Sequence, residues 1–295
     1  MPAESATRQE NLRGAVYMVV AMAAFVINDT IMKSLSDEIP IFQAVLVRGI
    51  FASVLIGALA CWRGVARVSA LAPADRGYAL LRALAEIGST VCFLIALFNM
   101  PIANATAIML SSPLLLTMIG ALLLGERVGW RRWTAILIGF VGVLMIVKPG
   151  AEAFNDASLW AVGSVFFVCL RDIMTRKLSH ATPSLVITLI TAVAITAVGA
   201  LVVAVEGWTP IDLEVVLSLL FSAVFVFFGY LFSVMTMRVG DMGFVSPFRY
   251  TNLIWALALG WLVFGDAPGV LTLFGAALVV ATGVFTFYRE GRPTR

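Results

Sequence analysis

Ten runs of apolar residues, each about long enough to cross a bilayer, follow one another along this chain with almost nothing between them. They cover Leu12–Ser34, Pro40–Ala60, Arg76–Phe98, Pro101–Leu124, Trp130–Val147, Ala157–Lys177, Pro183–Val205, Asp212–Met237, Asp241–Phe264 and Pro268–Tyr288. A transmembrane helix takes about 20 residues, so ten of them use roughly 200 residues, which leaves only short connections and tails in a chain of 295. Separators such as Gly125-Glu126-Arg127, Lys148-Pro149-Gly150 and Glu206-Gly207-Trp208 are a few residues each. No appended soluble domain fits, and the chemistry must lie between helices. The predicted class is an all-α integral membrane protein.

Composition excludes the soluble alternative. Hydrophobic residues make up 61% of the chain and charged ones 13%, with a mean hydropathy of +1.00. Ordinary soluble domains hold about 25% charged residues. The net charge of +3 reads as a topology signal rather than a nucleic-acid footprint. Cys61, Cys92 and Cys169 are scattered without CxxC spacing, so neither a disulfide framework nor a thiolate metal site is expected. The first run follows a polar tail and contains Asn28 and Asp29, which argues against a cleaved signal peptide.

Lys and Arg in the loops predict orientation. With the N-terminus in the cytoplasm, fourteen of the 20 basic residues fall on the inside and only Lys33 and Lys148 on the outside. By the positive-inside rule both termini are expected to be cytoplasmic. The remaining four, Arg48, Arg82, Arg171 and Arg249, lie within spans.

The chain also repeats itself. Asp29-Thr30-Ile31-Met32-Lys33-Ser34-Leu35-Ser36 stands 143 residues before Asp172-Ile173-Met174-Thr175-Arg176-Lys177-Leu178-Ser179, and Pro40 falls on Pro183 at the same offset. Gly120, Gly125 and Glu126 match Gly260, Gly265 and Asp266 at an offset of 140. The economical reading is two halves of five spans: a tail at 1–11, a first repeat at 12–149, a second at 150–288 and a tail at 289–295. Five is odd, so the second half enters from the opposite face, an inverted repeat of the kind used for alternating access.

Two five-span halves, each with a Gly-Glu or Gly-Asp step before a glycine-containing last helix (Gly139 and Gly142; Gly275 and Gly283), resemble the EamA-type transporters of the drug/metabolite transporter superfamily. The resemblance runs from about Leu12 to Tyr288. It implies ten transmembrane helices around a central cavity, and it leaves the substrate open among amino acids, vitamins, nucleoside-like cofactors and other metabolites. The second glycine of the last helix sits one residue later in the second half, a local departure in register. A bacterial inner-membrane location follows from the resemblance and the short loops.

Charges inside spans are rare and mark solute or ion routes. At 1.5 Å per residue, Glu86, Arg249, Arg48 and Asn252 fall at middle depth, whereas Asp29 and Asp172 lie nearer opposite mouths and suit gating or proton coupling. Arg82 and Glu86 stand i, i+4 on one helix and can neutralise each other. Arg171 and Asp172 can form an end-of-helix pair. Arg48 and Arg249 have no acid three or four positions away, so their partners must come from another helix, with Glu86 or Asp29 as structural candidates, or from a ligand. Ser111-Ser112-Pro113 and Ser246-Pro247 break corresponding spans of the two halves, a pointer to a binding site.

The expected site therefore comprises Arg48, Glu86, Ser112, Arg249, Tyr250 and Asn252 for the substrate, with Asp29 and Asp172 for gating or proton coupling. Four intramembrane arginines against three acids favour an anionic or zwitterionic small metabolite. No Gly-x-x-x-x-Gly-Lys-Ser/Thr occurs, so uphill transport must draw on a gradient, by proton coupling or exchange. A passive channel or scramblase-like facilitator is the alternative. An intramembrane enzyme is disfavoured, because the single histidine, His180, is in a loop. No cofactor or metal is expected; the partners are the bilayer and the metabolite, with a homodimer as a candidate assembly and no nucleic acid.

Overall fold

In hydrocarbon, backbone N–H and C=O groups find no water and must pair within their own segment, so long apolar runs become helices. The computed structural model describes residues 7–65, 73–123, 129–148, 155–179, 183–239 and 242–290. The first half holds α1 (Arg8–Ser34), α2 (Ile41–Trp62), α3 (Arg76–Asn99), α4 (Ile102–Met109), α5 (Ser112–Leu123) and α6 (Trp130–Val147). The second holds α7 (Ala157–Lys177), α8 (Ser184–Glu206), α9 (Leu213–Val239), α10 (Met242–Val245), α11 (Thr251–Phe264) and α12 (Val270–Glu290). No strand occurs among the described residues.

Eight passes are long and apolar enough to cross a membrane, counting α4 and α5 as one, and α12 supplies a shorter apolar stretch, Val270–Thr286. The remaining pass is α10, a 3-10 turn at Ser246–Tyr250, and α11. These make ten. Both passes with an internal proline are interrupted, for the reason expected: proline has no N–H to continue the ladder. In the fourth pass the break falls just before Pro113, where the Ser111 hydroxyl donates to the Ile108 carbonyl at 2.7 Å. In the ninth, Pro247 opens the 3-10 turn.

Helix ends follow local chemistry. Thr7 caps α1 through a reciprocal pair with Glu10: the Glu10 N–H donates to Thr7 Oγ1 at 3.3 Å and the Thr7 N–H to Glu10 Oε2 at 2.7 Å. At the end of α11, Gly265 adopts φ +68°, and the Asp266 N–H returns to the Gly260 carbonyl at 3.1 Å, a left-handed stop that suits glycine. Its counterpart in the first half, Gly125-Glu126, lies outside the described residues.

The helices pair chiefly across the halves: α3 with α7, α1 with α9, α6 with α12 and α2 with α8. Exchanging the halves turns the α1–α9 pair into the α7–α3 pair, and two glycines show the symmetry at atomic level. A Cβ on Gly229 of α9 would lie 2.7 Å from the Phe25 ring of α1, and one on Gly88 of α3 would lie 2.7 Å from the Phe167 ring of α7. Each first helix thus lays a phenylalanine over a glycine of the other half's third helix. The fold is two inverted five-helix repeats.

Large apolar side chains such as Val54, Leu80, Leu137, Leu201 and Phe274 stay exposed around the bundle, as a lipid-facing surface requires. Exposed tryptophans mark its two rims. Trp62 and Trp130 sit at the end that carries the N-terminus, and Trp160, Trp208 and Trp261 at the opposite end, the placement favoured at membrane interfaces.

Candidate functional site

Intramembrane charges collect in two clusters related by the repeat. The first joins α1, α2 and α9. Arg48 Nη1 donates to Asn28 Oδ1 at 3.2 Å, Asn28 Nδ2 donates to Asp29 Oδ1 at 2.9 Å, and the buried Ser222 hydroxyl donates to Asn28 Oδ1 at 2.7 Å. Asn28 therefore relays between Arg48 and Asp29. Of the two structural partners considered for Arg48, the fold brings up Asp29.

The second cluster joins α3, α7 and α8. Arg171 Nη1 donates to both oxygens of the buried Glu86 at 3.4 Å, while its Nε donates to Asp172 Oδ1 at 2.9 Å. Arg82 approaches Glu86 at 3.9 Å and also donates to the hydroxyls of Thr175 and Thr191. Glu86 is thus shared between an arginine of its own helix and one from the other half, and Asp172 is drawn into the same cluster. A carboxylate held this way has little need of a solute ammonium group.

Arg249 differs from the other three arginines. It follows Pro247 in the 3-10 turn, within electrostatic range of Asp172 and Arg171. Yet among the described residues it makes neither a salt bridge within 4.0 Å nor a hydrogen bond. Three residues on, Asn252 reaches, among the described residues, only the sulfur of Met22, at 3.8 Å, and its buried Oδ1 accepts no hydrogen bond from them. A cation and an open carboxamide acceptor therefore stand close together beside a broken helix.

The other expected site residues are placed differently. Tyr250 is buried against Gly283 of α12 and belongs to the apolar core with Leu253 and Val279. Ser112 opens α5, and its carbonyl accepts from the Cys169 thiol at 3.4 Å. No group of three or more His, Cys, Asp or Glu side chains that could hold a metal is found among the described residues.

Tyr230 of α9 was not anticipated. Its ring meets Phe25 edge-on, with centroids 5.4 Å apart, and it lies within electrostatic range of Arg48 on one side and of Glu86, Arg171 and Arg82 on the other. Within an aromatic-rich run nothing in the sequence distinguishes it by type.

Comparison with known proteins agrees with this architecture. The EamA-like transporter family matches residues 12–148 and 156–288. The chain is 32% identical over 96% of both lengths to the riboflavin transporter of Vibrio cholerae. It is 26% identical to the S-adenosylmethionine uptake transporter of Rickettsia conorii, over 95% of this chain and 94% of that one. With the pseudopaline exporter CntI of Pseudomonas aeruginosa it shares 27% identity over 90% and 93% of the two chains. A crystal structure of a protein 19% identical superposes with a TM-score of 0.64, covering 95% of this chain and 99% of that one, and shows a common fold. With both repeats matched by the family and ten helical passes arranged in two inverted halves, this chain belongs to the EamA-like transporter family.

Proposed function

We propose that this chain carries a small anionic or zwitterionic metabolite across the bacterial inner membrane as a secondary active transporter, its two halves rocking about a central site. The observation that carries this reading is Arg249. Each of the three intramembrane acids has an arginine nearby: Asp29 has Arg48 through Asn28, Glu86 has Arg82 and Arg171, and Asp172 has Arg171. Arg249 is the fourth cation, left without an ion pair among the described residues. An unpaired charge in a low-dielectric interior is costly, and a solute carboxylate or phosphate compensates it. Asn252 would accept a hydrogen bond from the same solute. Asp29 and Asp172 would couple protons or gate, and both termini would face the cytoplasm.

The named relatives favour a second reading in which the solute is a vitamin or nucleoside-type cofactor, with 32% identity to a riboflavin transporter as its support. The aromatic pair Phe25–Tyr230, with Tyr230 within electrostatic range of Arg48, suits a flat ring.

A thermal-shift screen against amino acids, carboxylates, vitamins and nucleosides, followed by uptake into proteoliposomes with and without a pH gradient, tests both readings. Accumulation against a gradient is expected; mere equilibration would make the protein a passive facilitator. Arg249→Ala should abolish uptake while the protein stays folded. Wild-type uptake by that variant would sink the assignment.

A further inference from the structure

The two ends of the α2–α8 seam are not equivalent, although the repeat relates them. At the end away from the N-terminus the seam is shut. Gln43, fully buried, donates from Nε2 to the Thr209 carbonyl at 2.7 Å and accepts from the Thr209 N–H at 3.0 Å. There the helices touch backbone to backbone: a Cβ on Gly199 would lie 3.0 Å from the Phe42 carbonyl oxygen and the Leu46 nitrogen. Toward the other end they part. Gly57 has only an ordinary contact with Leu189, at 3.7 Å from an added Cβ, and beyond it lies a cavity of about 250 Å³. Arg63 and Pro183 line its outer part, Ile56 and Thr188 lie farther in, and Tyr230 borders it from α9.

Tyr230 also lies within electrostatic range of both charged clusters, so the inner end of this cavity faces the candidate site. Its walls are mostly apolar, with the Arg63 guanidinium at the outer end; the arginines acting on Tyr230 are matched by Asp29, Glu86 and Asp172, which leaves Arg249, within electrostatic range of Arg171, as the unmatched cation. Such a field concentrates anions. We infer that the cleft between α2, α8 and α9 is an access site for a small anionic solute, open on the side of the N-terminus, passing Arg63 and reaching the central arginines at Tyr230. A cavity below the usual 300–1,000 Å³ of drug-sized sites admits a small solute or one end of a longer one. The anionic character rests on the reading of Arg249 given above.

The test needs no substrate. In the full-length protein with the exposed Cys61 replaced by alanine, a Thr188→Cys variant is treated with an anionic (sulfonatoethyl) or a cationic (trimethylammonioethyl) methanethiosulfonate. Rates are normalised to a free thiol, and Leu185→Cys serves as a second position should the first variant not fold. The anionic reagent should react about tenfold or more faster, Arg63→Gln should lower that ratio, and Thr196→Cys, on the shut side of the seam, should stay unmodified. Inert cysteines at both 188 and 185, or equal rates for the two reagents, would overturn the inference. So would a rate that collapses in phosphatidylcholine vesicles relative to detergent, which would mean that acyl chains fill the cleft. Because labelling is independent of uptake, failure here and failure of the Arg249 assignment appear in different measurements.

Discussion

Replacing Glu86 by glutamine removes the one negative charge that two arginines share. Arg171 Nη1 lies 3.4 Å from both carboxylate oxygens and Arg82 Nη2 3.9 Å from one, and the Glu86 side chain is only 9% exposed. At an effective dielectric constant of about 20, unit charges at the shorter separation attract by about 5 kcal/mol. Desolvation of the carboxylate offsets part of this, and removing one partner of a buried pair costs about 3–5 kcal/mol. Glutamine keeps an acceptor oxygen, and Arg171 keeps Asp172 at 2.9 Å, so the loss should fall near the lower end, about 3 kcal/mol. At about 2 °C per kcal/mol for a chain of this size, Tm should drop by about 6 °C. The assay is thermal unfolding of the purified protein in detergent, followed by tryptophan fluorescence, with Arg249→Gln alongside. That second variant breaks no ion pair among the described residues and should leave Tm nearly unchanged while removing uptake. If Glu86→Gln keeps the wild-type Tm and loses only solute binding, Glu86 is a ligand and the reasoning that makes it a shared counter-ion fails.

Three glycines test the helix contacts. Gly142→Ala would put a Cβ 2.6 Å from the Gly275 carbonyl oxygen; backbone cannot rotate away, so α6 and α12 must separate, at a cost of about 1–3 kcal/mol readable as a lower Tm. Gly283→Ala would drive a methyl into the Tyr250 ring and hydroxyl; a lowered Tm partly restored by Tyr250→Ala is expected, and no change would show that Tyr250 does not pack there. Gly229→Val should destabilise as the Phe25 ring is displaced, by about 1–3 kcal/mol, and Phe25→Leu in the same chain should recover part of the loss in a thermal-unfolding cycle.

Much of the architecture could be read from the residues. Apolar run lengths gave the ten passes, and Pro113 and Pro247 marked the two that break. The matched stretches after Asp29 and Asp172 exposed the repeat. Pairing was less legible. Arg82 and Glu86, four apart on one helix, are the obvious couple, yet Arg171 from the other half comes closer, at 3.4 against 3.9 Å. Tyr230 had no distinguishing type, and only the fold sets the Asn28 amide between Arg48 and Asp29.

The sequence by itself determined the class, the number of passes, the two-fold repeat and the short list of residues too polar to face lipid, because each depends on residue type and spacing along one helix. Only the tertiary structure decided which arginine each acid holds, that Arg249 makes no ion pair with them among the described residues, and that the α2–α8 seam is closed at Gln43 and bordered by a cavity at Arg63. In a bilayer the lipid-facing and buried sides of a helix are both apolar, so the pattern along a span does not mark its inward face. That face is chosen by close packing, a glycine under a phenylalanine or one backbone against another, and these contacts join residues from opposite halves of the chain.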